Sequence, residues 1–344
     1  MRSICSVFCY EAALRMPSTL LETFRVLSSF SPPRRSLAGA PWDAYVDWAI
    51  ANGLAALAAY SLEYRLAGGD APQWARDQLL SVYQGTANDN VMKLVNFKRV
   101  VDKLEGRRVV VLGGASFAEV LYPHIAFRPV IDISLLVPPA DIDGFAGFLA
   151  QGHFKPVPDD VRPPGANRSL SDGRTPIHLF SSLFGQGFEA EDRALFDRSL
   201  PVRVYGPSFF RLTAEDAVLA LCLEHARAGY DVPYVSFVDL RELLLGAPAL
   251  GGTYSKPLDA EMVRTRAHIL KLDRALYASC GIAADLFPET AAVSRALQPG
   301  LPRLLRQVLD GVLVHPLGRL GRMRELRGAD RLRRFLTRRH TSEV

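Results

Sequence analysis

The chain has 344 residues, of which 49% are hydrophobic, 22% charged and 9% aromatic. This composition excludes a disordered, collagen-like or disulfide-stapled protein, and the length predicts about two domains. The net charge is +5, from 41 Lys and Arg residues against 36 Asp and Glu residues. Nucleic-acid binders concentrate basic residues on one face, so this small excess over the whole chain does not by itself indicate a nucleic-acid partner.

The four cysteines and the apolar runs bear on the cellular compartment. Cys5, Cys9, Cys222 and Cys280 have no paired short spacing of the kind that binds zinc, and they do not form the pattern of an extracellular disulfide framework. No run approaches the roughly 18 apolar residues that a membrane-spanning helix requires. We therefore expect a cytoplasmic protein without a transmembrane segment.

The N-terminal part of the sequence predicts a helical region. Residues 31–36 form a turn-rich patch, from which we predict that residues 1–41 are a loosely attached segment. From Trp42 the apolar residues recur at three- and four-residue steps, and this periodicity persists with interruptions as far as Leu104. Residues 42–105 are therefore predicted to form a helical lead-in.

Residues 106–206 are predicted to form an α/β core. Apolar and β-branched runs that end at Gly or Pro predict strands, and two amphipathic runs predict helices. The predicted strands are 108–112, 130–137, 153–157 and 175–183, and the predicted helices are 116–122 and 141–152. A polar loop rich in Pro, Gly, Asn and Arg joins the last two strands. Strands that alternate with helices in this order are typical of an α/β sheet unit.

The rest of the chain is predicted to be helical and to end in a basic tail. Thr213–Asp216 has the pattern of a capped helix start with acids in the first turn, and residues 207–318 are predicted to form a helical domain. In residues 319–344 nine arginines alternate with apolar residues. Two interpretations of this arginine-rich tail are open. It binds nucleic acid or an anionic surface, or it is a solvated helix end that packs through its leucines. The predicted fold class is α/β (α+β), a small mixed sheet between helical regions.

Two short stretches carry the residues of chemical interest. Gly113–Gly114 follows the predicted strand 108–112, and a double-glycine turn lets backbone N–H groups approach triphosphate oxygens without side chains in the way. Alternation along the predicted strand 130–137 places Asp132 and Ser134 on the same face. Both polar groups are therefore expected to point to where a metal ion and a nucleotide can lie.

These features resemble the bacterial nucleotidyltransferase family of the DNA polymerase β-like superfamily. Its members carry a Lys-Gly-Ala turn and an Arg-containing Asp-Ile-Asp-Leu-Leu-Val strand, and the resemblance covers residues 42–245 of this chain. The matching residues, in the same order, are Asp47-Trp48, Asn52-Gly53, Gly113-Gly114-Ala115, Tyr122-Pro123, Arg128-Pro129, Leu212–Asp216, His225 and Val238-Asp239-Leu240.

The resemblance implies a protein that binds a nucleoside triphosphate with Mg²⁺ and transfers a nucleoside monophosphate to an acceptor that the sequence does not identify. Gly113, Gly114 and Ser116 would then cradle the phosphates, and Arg128 would offset their negative charge. Asp132 would be the catalytic carboxylate and the metal ligand. Next to it, Ser134 would offer an uncharged oxygen to the same ion.

The sequence departs from the family pattern at three places. Gly113 stands where the family has lysine, Ser134 stands where it has the second aspartate, and no acid lies on the predicted strand that should carry the third. Two-metal phosphoryl transfer needs several carboxylates, whereas one Mg²⁺ can be held by one carboxylate and the substrate phosphates. Two functions stay open: a Mg²⁺-dependent nucleotidyltransferase, and a catalytically degenerate member that acts as a binding or scaffold protein in a bacterial biosynthetic pathway.

Four further residues have two interpretations each. Arg128 either binds triphosphate with its planar guanidinium or neutralises Asp132. His178 either replaces the missing acid as a metal ligand or is a hydrogen-bonded structural residue. His225 and Asp239 either form a hydrogen bond between two helices near the nucleotide or serve in packing alone.

Overall fold

The computed structural model describes residues 18–30, 36–65, 71–101, 108–158, 162–202, 209–246 and 257–313. The chain divides into two compact units. The helical unit comprises the described parts of residues 1–84, 221–247 and 256–344, and the sheet unit comprises the described parts of residues 85–220. The sheet unit is thus longer at both ends than the predicted core of residues 106–206.

The described residues form helices and short strands in the following order. The α-helices are α1 (Ser18–Leu27), α2 (Trp42–Ala51), α3 (Ala55–Tyr60), α4 (Gln73–Val101), α5 (Gly113–Val120), α6 (Ile142–Gln151), α7 (Glu189–Arg198), α8 (Ala214–Arg227), α9 (Tyr234–Leu245), α10 (Ala260–Ile269), α11 (Asp273–Leu286), α12 (Ala291–Leu297) and α13 (Arg303–Leu313). The strands are β1 (Val109–Leu112), β2 (Ile133–Leu136), β3 (Lys155–Pro156), β4 (Arg168–Ser171), β5 (Pro176–Phe180), β6 (Leu200–Pro201) and β7 (Phe209–Arg211). A π-helical turn, Ser61–Arg65, continues α3.

The strands form one mixed sheet in the order β3-β4-β5-β2-β1-β7-β6. β1 pairs antiparallel with β2 and parallel with β7. β2 also pairs parallel with β5, and β5 pairs antiparallel with β4. The predicted α/β class, a mixed sheet with helices on either side of it in the sequence, is confirmed.

One face of the sheet carries the main hydrophobic core of the sheet unit. Its strand residues alternate along β1, β2 and β5, and they pack with apolar residues of α4, α5 and α6. The principal members of this core are Leu94, Phe97, Val109, Val111, Ala115, Ala118, Ile133, Leu135, Phe145, Leu149, Ile177 and Leu179. The strand residues between these core positions, including Ser134 and His178, therefore lie on the opposite face.

The sheet unit differs from the sequence prediction in its element boundaries and in three strands. Helix α5 begins directly after β1, at Gly113, whereas the sequence predicts a helix from residue 116. Part of the predicted polar loop is strand β4, and β6 and β7 are not predicted either. β4 holds a single apolar residue besides Arg and Ser, β6 and β7 have only two and three residues, and β7 pairs with β1, which lies far earlier in the chain.

In the helical unit, residues 18–30 are not the loosely attached segment that the sequence predicts. Phe24 and Leu27 are fully buried, and the Phe24 ring lies 5.2 Å from the ring of Trp48. Arg25 donates hydrogen bonds to the carbonyl oxygens of Leu286 and Asp285. An apolar helical stripe therefore anchors this segment. Residues 1–17 and 31–35 lie outside the described residues.

Two further predictions concern surfaces and membranes. The arginine-rich tail, residues 319–344, lies outside the described part of the chain, so its binding to nucleic acid or an anionic surface stays a prediction. Every helix among the described residues is too short or too polar to cross a lipid bilayer.

Candidate functional site

The predicted functional residues of the sheet unit lie at one end of the sheet. In the antiparallel pair of β1 and β2, Leu112 at the end of β1 is opposite Ser134 near the start of β2. The Gly113–Gly114 turn leaves β1 at the point where Asp132 leads into β2. β5 runs parallel to β2, and its His178 is level with Ser134. The sheet register thus brings the glycine turn and the polar side chains together.

The backbone at Gly113 explains one departure from the family pattern. Its φ is +56°, in the left-handed region, and no heavy atom lies within 4 Å of the position that a Cβ would take. An L-residue in this conformation costs about 1–2 kcal/mol, so the constraint at Gly113 is conformational rather than steric. A lysine here, as in the family pattern, would be strained in this backbone.

The glycine turn forms the start of helix α5, because Gly113 and Gly114 are the first two residues of that helix. Leu112 occupies the N-cap position and makes no side-chain hydrogen bond to the first turn. Helix N-termini present unpaired backbone N–H groups and a partial positive charge, which favour anions. Ser116 lies in this first turn, but it is only 2% exposed. Its hydroxyl does not face solvent, so the predicted contact with phosphate stays a prediction for the backbone of this turn alone.

Arg128 lies against Gly114. A Cβ on Gly114 would be 2.8 Å from Nη1, 2.9 Å from Cζ and 3.0 Å from Nη2 of Arg128. The guanidinium also donates a hydrogen bond of 2.6 Å from Nη1 to the carbonyl oxygen of Pro129. The absence of a side chain at residue 114 is thus what lets a cationic group lie beside the first turn of α5.

Replacing Gly114 by alanine should move the Arg128 guanidinium. The obstructed atoms are at the end of a flexible side chain, so we expect a modest loss of stability, about 1 kcal/mol, at the low end of the range for overpacking. Thermal unfolding measures this loss. Gly147→Ala in α6 is the control, because no heavy atom lies within 4 Å of its added Cβ; it should be neutral or stabilising. Equal stability of the Gly114→Ala variant and the wild type would contradict the packing argument.

Asp132, Ser134 and His178 form a polar cluster on the face of the sheet opposite the main core. Ser134 Oγ donates a hydrogen bond of 3.2 Å to Asp132 Oδ1. His178 Nδ1 lies 2.8 Å from the hydroxyl oxygen of Ser169 on the neighbouring strand β4. Burial lowers the pKa of His178, and the nearby carboxylate of Asp132 opposes this effect. Asp132 is half-buried, so its carboxylate is not enclosed in an apolar interior.

The side chains of the polar cluster are suited to binding one metal cation rather than two. Its only carboxylate is Asp132, and no group of three or more His, Cys, Asp or Glu residues able to hold a metal ion occurs among the described residues. Mg²⁺ is often held by one or two carboxylates while phosphates and water complete its octahedral shell. Asp132 and Ser134 can supply such a partial set. The strand that should carry a third carboxylate, β5, has no acid, and its residue level with Ser134 is His178, so a two-metal arrangement does not fit these residues.

The structure also places next to the candidate site three residues that sequence reasoning missed. Ser169 was missed because β4 is predicted as loop. Asn90 and Lys93 on α4 contact the segment that leads to Asp132. A signal for Asn90 exists in the sequence: it shares a helical stripe with Leu94 and Phe97, at steps of four and three residues, and is a polar residue on an apolar face.

His225 and Asp239 belong to the helical unit. His225 Nε2 lies 2.8 Å from Ser236 Oγ, so the hydrogen-bond partner of this ring is Ser236 and not the predicted Asp239. Its Nδ1 has no hydrogen-bond partner among the described residues. The ring packs 4.6 Å from that of Phe237. These contacts favour the packing interpretation of His225.

Acidification should destabilise the helical unit through His225. Burial lowers the pKa of His225 to about 3, from an ordinary value of 6.5. Between these pH values the unfolded state binds a proton that the folded state does not, so the free energy of unfolding falls as the pH falls below about 6.5. At pH 5 the loss is about 2 kcal/mol.

Denaturant unfolding at pH 7.5 and pH 5 measures this loss. His225→Gln removes the titrating group and should show a correspondingly smaller pH dependence than the wild type. His268→Gln is the matched control, because it makes the same substitution at a side chain that is 84% exposed. The same pH dependence in His225→Gln and the wild type would refute the role of His225.

Comparison with known proteins identifies the class. Residues 38–288 match the family described as uncharacterised nucleotidyltransferase, and the chain belongs to this family. A solved structure that matches is an antigenic nucleotidyltransferase-like protein from Paracoccidioides brasiliensis, 14% identical, with 62% of this chain and 94% of that chain covered at a TM-score of 0.35. That similarity is too low to bear on the site. No curated protein matches the chain. The predicted nucleotidyltransferase family is confirmed.

Proposed function

We propose that the chain binds a nucleoside triphosphate together with one Mg²⁺ at the end of the sheet described above. The phosphate site consists of the Gly113–Gly114 turn, Arg128, Asp132 and Ser134. One observation carries the proposal: the pairing of Leu112 with Ser134 brings the glycine turn and the carboxylate of Asp132 to the same end of adjacent strands.

The charges at this site support a polyphosphate with a bound cation. The first turn of α5 and the guanidinium of Arg128 both attract phosphate oxygens. Asp132 repels them, because it is an anion at the same end of the sheet. A divalent cation removes this repulsion by binding the carboxylate and the phosphates together. The proposal therefore requires that nucleotide and Mg²⁺ bind cooperatively.

The same residues support transfer of a nucleoside monophosphate to an acceptor. In this reaction an acceptor oxygen forms a bond to the α-phosphorus, and the bond from that phosphorus to the bridging oxygen of pyrophosphate breaks. Mg²⁺, when bound, would neutralise charge on the phosphates. Arg128 and the turn would hold the triphosphate still, and Asp132 and Ser134 would orient it through the cation.

A second candidate is nucleotide binding without transfer, in a scaffold or binding role. The observation that favours it is the composition of the polar cluster, in which Ser134 stands where the family pattern has the second aspartate and β5 has no acid. Fewer carboxylates neutralise less of the charge that two metal ions concentrate, so the transfer step would be slow or absent.

Isothermal titration calorimetry tests the binding proposal. The wild type is titrated with ATP, GTP, CTP and UTP, each with and without Mg²⁺. We expect at least one triphosphate to bind in the presence of Mg²⁺ and to bind more weakly without it. Absence of binding by all four at millimolar concentration would overturn the proposal.

A transfer assay with radiolabelled triphosphates separates the two candidates. Transfer by the wild type that is lost in Asp132→Ala supports the transferase. No transfer by the wild type, with transfer gained in Ser134→Asp, supports the binding protein, since the substitution restores a second carboxylate.

A further inference from the structure

The segment between α5 and β2 depends on one buried side chain for its backbone hydrogen bonds. Asn90 on α4 is 1% exposed. Its Nδ2 donates hydrogen bonds of 2.7 Å and 2.9 Å to the carbonyl oxygens of Ile125 and Arg128. Its Oδ1 accepts a hydrogen bond of 2.9 Å from the backbone N–H of Val130. A single carboxamide thus binds three peptide groups of this segment.

Lys93, one turn further along α4, binds the same segment. Its Nζ donates a hydrogen bond of 2.7 Å to the carbonyl oxygen of Val130 and lies 2.7 Å from Asp89 Oδ2. The backbone N–H and C=O of Val130 are therefore both held by α4. The other oxygen of Asp89 lies 3.7 Å from Nε of Arg174, in the turn that leads into β5.

The segment that Asn90 and Lys93 bind carries the two charged groups of the phosphate site. Arg128 is one of the residues whose backbone Asn90 binds, and Asp132 follows Val130 by two residues. Asn90 matches this segment because it is both donor and acceptor; a carboxylate in its place would face two carbonyl oxygens without a hydrogen to donate. Buried peptide groups without partners are costly, so the segment needs this side chain to keep its conformation.

We propose that Asn90 is a positioning residue of the nucleotide site, supported by Lys93. It acts through the backbone: it sets where Arg128 meets Gly114 and where Asp132 meets Ser134. This inference rests on the proposed function, and it adds a residue on α4 that touches neither the nucleotide nor the metal ion.

Calorimetry with matched variants tests this role. The probe is Mg²⁺ with whichever of ATP, GTP, CTP or UTP binds the wild type most tightly. Asn90→Asp should raise the Kd by roughly 10- to 100-fold, the usual effect of removing a group that orients a metal ligand. Asn88→Asp is the control, because it makes the same change of charge at an exposed position on the same helix; its Kd should stay within about twofold.

A double-mutant cycle distinguishes positioning from a general effect on stability. If Asn90 acts through Arg128, the fold-change caused by Asn90→Asp should be at least roughly threefold smaller in an Arg128→Gln background. Equal fold-changes in the two backgrounds would overturn the positioning role. If Asn90→Asp does not fold, Lys93→Met is used in the same cycle with the same expectation.

The outcomes separate the two proposals. A wild type that binds no triphosphate overturns the proposed function and this inference with it. A wild type that binds, with Asn90→Asp binding equally well, overturns the inference alone and leaves the proposed function standing.

Discussion

Asp132→Asn is expected to abolish the effect of Mg²⁺ on nucleotide binding. The substitution keeps the size of the side chain and an oxygen that can accept the hydrogen bond from Ser134, but it removes the only carboxylate of the polar cluster. Two ligands that bind cooperatively at one protein typically change each other's affinity by about 5- to 150-fold. We expect Mg²⁺ to lower the Kd of the wild type for the triphosphate by a factor within this range, and to leave the Kd of the variant nearly unchanged.

Titration of the best-binding triphosphate with and without Mg²⁺ measures this factor. Without Mg²⁺ the variant should bind at least as tightly as the wild type, because the carboxylate no longer repels the phosphates. Asp143→Asn is the matched control: Asp143 is an exposed acid of the same unit, paired with Arg168 at 3.0 Å. An undiminished Mg²⁺ effect in Asp132→Asn would exclude Asp132 as the metal ligand.

Arg241→Met is expected to cause the largest loss of stability in the helical unit. Arg241 is 2% exposed, its Nη2 donates a hydrogen bond of 2.5 Å to the carbonyl oxygen of Ser28, and its Nε lies 2.7 Å from Glu242 Oε1. Its guanidinium also lies 4.7 Å from the centre of the Phe287 ring. Removing one partner of a buried ion pair costs about 3–5 kcal/mol, because the remaining charge is left without compensation.

Denaturant unfolding of the wild type and the Arg241→Met variant measures this loss. Burial raises the pKa of Glu242, and Arg241 opposes this effect, so the variant should raise that pKa further. The stability that depends on a protonated Glu242 is present at low pH and is lost as the pH rises. The deficit of the variant should therefore be smaller at pH 5 than at pH 8.

Two further variants control for this interpretation. Arg295→Met removes an exposed arginine of the same unit and should change the free energy of unfolding by less than about 0.5 kcal/mol. Arg241→Met combined with Glu242→Gln removes both charges and should recover part of the loss. If the double variant is no more stable than Arg241→Met alone, the unpaired carboxylate is not the cause.

The parts of the fold that the sequence predicts are those with strong local patterns. β1, β2 and β5 are apolar runs that end at Gly, Pro or a polar turn, and α6 has a regular apolar stripe. Alternation also predicts the shared face of Asp132 and Ser134, and the hydrogen bond between their side chains agrees with it.

The remaining features depend on contacts between distant parts of the chain. β7 is not predicted because it is only three residues long, and it is a strand because β1, far earlier in the chain, pairs with it. The burial of residues 18–30 depends on partners more than 200 residues away, such as Leu286. The proposed role of Asn90 depends on a segment 35 to 40 residues later in the chain, whereas the local pattern marks Asn90 only as a polar residue on an apolar helix face.

The order of strands has a consequence for how the proposed phosphate site responds to partial unfolding. β2 is the middle strand of the sheet, and β1 and β5 flank it on either side. The outermost strands, β3 and β6, contain two residues each. Local openings begin where few hydrogen bonds resist them, so fraying at either margin leaves the three central strands closed. Amide protons of β1, β2 and β5 should accordingly exchange with solvent later than those at the margins, and the geometry around Asp132 should persist in mild denaturant.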